Sequence, residues 1–107
     1  MEIIFRTGEK AKLFKNANGY WHCPVCGSPE LESAAYLEGG SGSFQMCSCG
    51  FEFGFDDEPS ASVTEIKTVL GNWEHWREKK LQYMQKDSLE FKTIKENLHE
   101  IGVEVNT

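Results

Sequence analysis

The chain holds four cysteines in two close pairs: Cys23 and Cys26 in "CPVCG", and Cys47 and Cys49 in "CSCG". Two thiolates separated by two residues reach one ion from a single tight turn, and structural zinc takes four nitrogen or sulfur ligands in a tetrahedron. Pro24 stiffens the first turn, and Gly27 can adopt the positive φ that lets backbone N–H groups point at sulfur. Cys49-Gly50 repeats the closing Cys26-Gly27, and the 20 residues between the pairs suit a hairpin that brings two such knuckles together. The second pair is one residue short. A tight turn or bulge expected at Ser48 would bring both of its sulfurs to one side as a distorted second knuckle. The expected metal ligands are Cys23, Cys26, Cys47 and Cys49, around one structural Zn2+. The competing reading makes Cys47 a spectator, with His, Asp or water as fourth ligand. His22, adjacent to Cys23, points away from such an ion.

Charge and length bound what such a site can serve. The 107 residues carry 17 acidic and 11 basic side chains, net -6. Residues 1–61 account for -5 of this and residues 62–107 for -1, so the cysteine-bearing half is the acidic half. Nucleic-acid binding rests on Lys and Arg neutralising phosphate, which argues against nucleic acid as partner and leaves only a local basic patch at Arg77, Lys79 and Lys80. No apolar run reaches the roughly 18 residues of a membrane span, and "MEIIFRTGEK" lacks the pattern of a signal peptide. The cytosol is the expected compartment, where paired cysteines are metal ligands more often than disulfides.

Along the chain, 2–6 reads as a strand, and Asn18-Gly19 marks a turn between "KLFK" and "YWHC". The segment 31–38 reads as a strand or a short helix, of which a strand fits better between two cysteine pairs, followed by a Gly/Ser loop and "SFQMC". In "FEFGF" the alternation predicts a strand with Phe51, Phe53 and Phe55 on one apolar face. Ser62 and Glu65 have the spacing of a capping box. Ile66, Val69, Leu70, Trp73, Trp76, Leu81 and Met84 then recur near helical spacing, with a break expected at Gly71-Asn72. Asp87 and Glu90 suggest a second capping box, ahead of Phe91, Ile94, Leu98 and Ile101, with Gly102 as the stop. The fold class expected is α+β: an N-terminal antiparallel zinc ribbon packed against two or three C-terminal helices. Residues 1–107 would form one domain, with 1–58 as the ribbon portion and 62–101 as the helical portion. The helix carrying Ile66, Leu70 and Trp73 would cover the Phe face.

"CPVCG", the Gly/Ser loop, "CSCGFEFGFDD" and a Trp-rich helix containing "WREKK" resemble a group of small, uncharacterised bacterial zinc-ribbon-like proteins that read CPxCG, a gap, CxxCGFEFG-x-DD and a downstream WRE segment. The resemblance covers roughly residues 20–83. Cys23, Cys26 and Cys49 match position by position, whereas the family's third cysteine falls on Met46 and Cys47 follows it. A looser likeness to cysteine-rich CPCC-type proteins, a group linked to toxin immunity, does not extend to their signature.

Paired glycine-closed knuckles also occur in rubredoxin-like iron electron carriers, where Phe44, Phe51, Phe53, Tyr20 and Trp21 would wrap the metal. The C-x-C pair and the helices are unlike rubredoxin. A nucleic-acid-associated zinc ribbon is a further alternative. "DDE" at 56–58 reads as a solvated turn and not as paired catalytic carboxylates. Trp73 and Trp76 read as core, and His75 and His99 as surface. Four cysteines would close the metal site, whereas catalytic zinc keeps an open position. The reading is therefore a non-enzyme with a structural metal that binds another protein, whose identity and biological process the sequence does not supply.

Overall fold

A computed structural model describes residues 1–57 and 66–105. Alternation of Glu2, Ile3 and Ile4 puts Ile3 inward and its neighbours outward, and this segment forms β1 (Glu2–Ile4). It pairs antiparallel with β2 (Lys10–Lys12) in the register Glu2↔Lys12, Ile3↔Ala11, Ile4↔Lys10, which sets opposite charges across the first pair. These two strands are the only regular β-structure among the described residues. The expected strands at 31–38 and 51–55 are reduced to isolated bridges, Trp21↔Leu31 and Tyr36↔Gly42 for the first and Met46↔Glu52 for the second, and the Asn18-Gly19 turn closes on the bridge Lys15↔Trp21. Cysteine turns and glycine turns interrupt the chain too often for longer ladders to form.

The alternation in "FEFGF" holds for two residues and then fails. Phe51 and Phe53 are fully buried, but Phe55 is 59% exposed. Gly54 has φ +105°, and the chain turns there, with the Phe55 and Asp56 amides both bonded to the Glu52 carbonyl. A period-2 pattern requires extended backbone, and that ends at Phe53.

Two helices follow. α1 (Val69–Leu81) starts at Thr68, whose hydroxyl accepts from the Gly71 amide. Gly71 and Asn72 therefore lie in its first turn and do not break it. Asn72 is buried and donates to the Asp57 and Thr68 carbonyls. The capping pattern at Ser62 and Glu65 and the expected boundary between 58 and 62 fall outside the described residues. Of the predicted stripe, Val69 and Trp73 are buried, Leu70 faces outward and Met84 lies beyond the helix end. α2 (Leu89–Glu100) is capped by Ser88, one residue after Asp87, with the Ser88 hydroxyl accepting from the Phe91 amide. Gly102 is the expected stop: its amide bonds to the His99 carbonyl and that of Val103 to the Leu98 carbonyl, a Schellman closure. No helix among the described residues is long and apolar enough to cross a membrane.

Aromatic rings join the two halves. Tyr36 meets Phe5 at 4.9 Å, Phe53 at 5.6 Å and Trp73 at 5.7 Å between ring centroids, and Phe51 meets Trp76 at 5.4 Å. Trp73 and Trp76 are thus the α1 residues whose rings reach this aromatic cluster. A buried polar chain runs through it. Trp73 Nε1 donates to the Tyr36 hydroxyl at 3.0 Å, Tyr36 donates to the Asp57 carboxylate, and that carboxylate accepts from the Gly54 amide. Asp57 is therefore a buried anchor, contrary to the solvated turn expected. Burial, and then the Asp57 carboxylate, push the Tyr36 hydroxyl pKa well up.

Glu9 caps α1 from 60 residues away. Its carboxylate accepts from the Val69 amide at 2.8 Å and the Leu70 amide at 3.0 Å, where the helix dipole favours negative charge. Partial burial opposes ionisation, but bonds from the Thr7 hydroxyl and the two amides outweigh it and hold the carboxyl below its ordinary 4.5. A depressed carboxylate pKa adds stability that is present above 4.5 and is lost as pH falls through the folded value. Glu9→Gln is expected to lower Tm by a few degrees at pH 7, for a cap–dipole contribution of about 0.5 kcal/mol in a solvent-screened position. The difference from the parent should shrink below pH 4.5. Thermal melts of both proteins across pH test this, and a pH-independent difference would dismiss the charge account.

Candidate metal centre

The two cysteine turns differ by one residue in how they close. In the first, the Gly27 amide bonds to the Cys23 carbonyl at 2.7 Å, and the Cys23 amide to the Ser28 carbonyl at 2.8 Å. In the second, the Gly50 amide bonds to the Cys47 carbonyl at 2.8 Å, and the Cys47 amide to the Phe51 carbonyl at 3.1 Å. The missing residue is absorbed by a tighter turn through Ser48 and Cys49, which returns both sulfurs to one side.

All four sulfurs converge. They lie within 4.8 Å of one another, all four residues are buried, and none is in a disulfide. Cys26 Sγ is 3.5 Å from Cys47 Sγ, and Cys23 Sγ is 4.0 Å from Cys49 Sγ. A tetrahedron with metal–sulfur bonds of about 2.3 Å separates its sulfurs by about 3.8 Å. A disulfide would need about 2.05 Å. The cluster thus has the size of a four-sulfur metal site and can hold one ion.

Without metal the thiols compete for protons. Burial, followed by the neighbouring sulfurs, pushes the Cys23 thiol far up. Cys26 is also raised: its bond with Cys23 favours the thiolate, but Cys47, Cys49 and burial outweigh it. Bonds from Cys23 and Cys26 lower Cys47 to about 6 and hold Cys49 lower still.

Helix α1 grips both turns. Arg77 Nε donates to the Val25 carbonyl at 2.6 Å and its terminal nitrogen to the Pro24 carbonyl at 2.7 Å, while Trp76 Nε1 donates to the Cys49 carbonyl at 3.1 Å. Burial draws the Arg77 guanidinium down from its ordinary value, opposed by Cys23, Glu74 and Cys26, and arginine remains charged. A cation thus stands behind the first turn, where it offsets negative charge on the sulfurs. Arg77 is consequently turned inward and does not join Lys79 and Lys80 in a surface patch. Gly27 is also a docking point: a Cβ there would lie 2.6 Å from the backbone of Asn97 and Leu98 in α2, and its φ is +84°.

Other sequence candidates fall elsewhere. His22 is buried, its Nδ1–H donates to the Gly27 carbonyl at 2.7 Å, and Nε2 lies 3.8 Å from Glu100. It braces the first turn against α2 and adds nothing to the sulfur cluster. His75 and His99 are exposed. Of the five aromatics considered as a metal wrapping, Phe51 and Phe53 are core, Trp21 is half-buried, and Tyr20 and Phe44 are exposed. Trp76 and Arg77 were missed as supports of the centre, although "WREKK" marked their position. Glu30 was missed too, and no sequence signal distinguishes it from other surface glutamates.

No protein-family model, curated protein or solved structure matches the chain.

Proposed function

We propose that Cys23, Cys26, Cys47 and Cys49 hold one structural Zn2+, and that the chain acts as a non-enzymatic, protein-binding module in a reducing, cytosolic compartment. The convergence of four buried sulfurs within 4.8 Å carries this reading. Four thiolates complete a tetrahedron and leave no open position for catalysis, and reduced thiols fit a compartment in which disulfides do not persist. The binding role draws support from the paired segments on either side of the Cys47–Cys49 turn, which leave Phe44 70% and Met46 63% exposed. Phe44 also sits at φ +63°, with its amide on the Phe53 carbonyl and the Phe53 amide on the Gln45 carbonyl. That is a bulge position at which glycine is usual, and a bulky residue kept there and exposed fits a contact surface. The acidic cysteine-bearing half disfavours nucleic acid.

Metal analysis of untagged protein tests the reading, with one zinc per chain expected. Less than about half an equivalent with intact thiols would overturn it, and a red, iron-loaded protein would replace it with electron transfer. Affinity capture from the native cell, comparing the parent with Phe44→Gly, tests the binding role. Identical captured proteins would remove Phe44 from it.

A further inference from the structure

Glu30 stands at the edge of the sulfur cluster without belonging to it. Its Oε1 lies 3.1 Å from Cys47 Sγ, and the same oxygen accepts from the Ser48 hydroxyl at 2.5 Å and the Ser48 amide at 3.4 Å. Glu30 is exposed, whereas the four cysteines are buried. One carboxylate therefore touches both solvent and a cluster sulfur. For permanent stability the place is a poor one. Four thiolates on a divalent ion already carry net negative charge, and a carboxylate next to one of them adds repulsion. It is a good place for a transient ligand, because zinc accepts carboxylate oxygen as well as sulfur.

The tight turn at Ser48 supplies the remaining element, since its hydroxyl and amide hold the carboxylate beside Cys47 and receive it back when it lets go.

We propose that Glu30 is an entry and exit ligand for the metal: it takes the arriving ion from solvent, passes it to Cys47 and the other three sulfurs, and contacts it again on release. The proposal rests on the four-cysteine metal reading. A ligand used only in transit lowers the barrier equally in both directions, so it changes rates and leaves the equilibrium constant alone. A static outer partner of the site would instead change the affinity.

Glu30→Gln is the decisive variant, because glutamine keeps the shape and still accepts from Ser48 but loses the charge. The full chain is loaded with Zn2+, and transfer to a chromophoric chelator is followed by stopped flow, together with uptake of Zn2+ by the metal-free protein. Expected are one zinc per chain in both proteins, a dissociation constant no weaker than the parent's because the resting repulsion is gone, and uptake and release both slowed roughly tenfold. Glu30→Asp should recover part of the rate. Unchanged rates, or a weaker dissociation constant with unchanged uptake, would overturn the proposal. Failure of the parent itself to bind zinc would instead sink the metal reading, so the two failures are distinguishable.

Discussion

Cys47→Ser is expected to lose its metal and, with it, the fold of the cysteine-bearing half. A serine hydroxyl stays protonated near neutral pH and is a poor zinc ligand, so three sulfurs would remain where the geometry presents four. Structural zinc in small domains contributes about 10–16 kcal/mol of apparent binding free energy, which is also folding free energy. Whole domains are stable by only about 5–15 kcal/mol. Losing most of the metal term therefore suffices to unfold the turns that it joins. Cys26→Ser and Cys49→Ser should behave alike. Metal content of the purified variants and the dispersion of their amide NMR spectra are the readouts. A Cys47→Ser protein that keeps a full equivalent of zinc and the parent spectrum would make Cys47 a spectator and assign the fourth position to another group.

Trp73→Ala should destabilise the zinc-loaded protein by about 3–5 kcal/mol, as for other large aromatic truncations in cores. The ring is buried between Phe5, at 5.8 Å, and Tyr36, at 5.7 Å, where the helical half meets the strand-bearing half. Trp73→Phe separates packing from polarity: it keeps most of the apolar contact but removes the Nε1 donor to Tyr36, for an expected loss of about 1–2 kcal/mol. Urea denaturation at saturating zinc measures both variants. If cysteine-half and helix signals shift together in Trp73→Ala, the halves unfold as one cooperative unit. A loss below about 1 kcal/mol, outside the range for buried tryptophan, would mean that this contact does not join them.

Several features were legible because they are local. The glycine-closed pairs in "CPVCG" and "CSCG" signal tight turns within a few residues, and the turn expected at Ser48 is present. Asn18-Gly19 and Gly102 marked a turn and a helix stop through backbone preferences of one or two residues. Reading 51–55 as one strand failed at Gly54, because a glycine fits an alternating pattern and a reversal equally well. The helix expected to break at Gly71-Asn72 instead starts just before them, because Thr68 caps it and Asn72 also donates to the Asp57 carbonyl 15 residues earlier.

By itself, then, the sequence determined the type of centre: four cysteines in two glycine-closed pairs, an acidic half around them, and helices to follow. Only the tertiary structure decided what stands around that centre. Arg77 bonds to carbonyls more than 50 residues earlier, Trp76 to one 27 residues earlier, and Glu9 caps a helix 60 residues later. Asp57 is a buried acceptor because Tyr36 and Gly54 converge on it. Glu30 is set apart from other surface glutamates only by the sulfur 3.1 Å away. Spacing constrains groups within a few residues of each other, because the backbone between them has few conformations. Partners separated by tens of residues are chosen by packing, which no short stretch of the chain encodes.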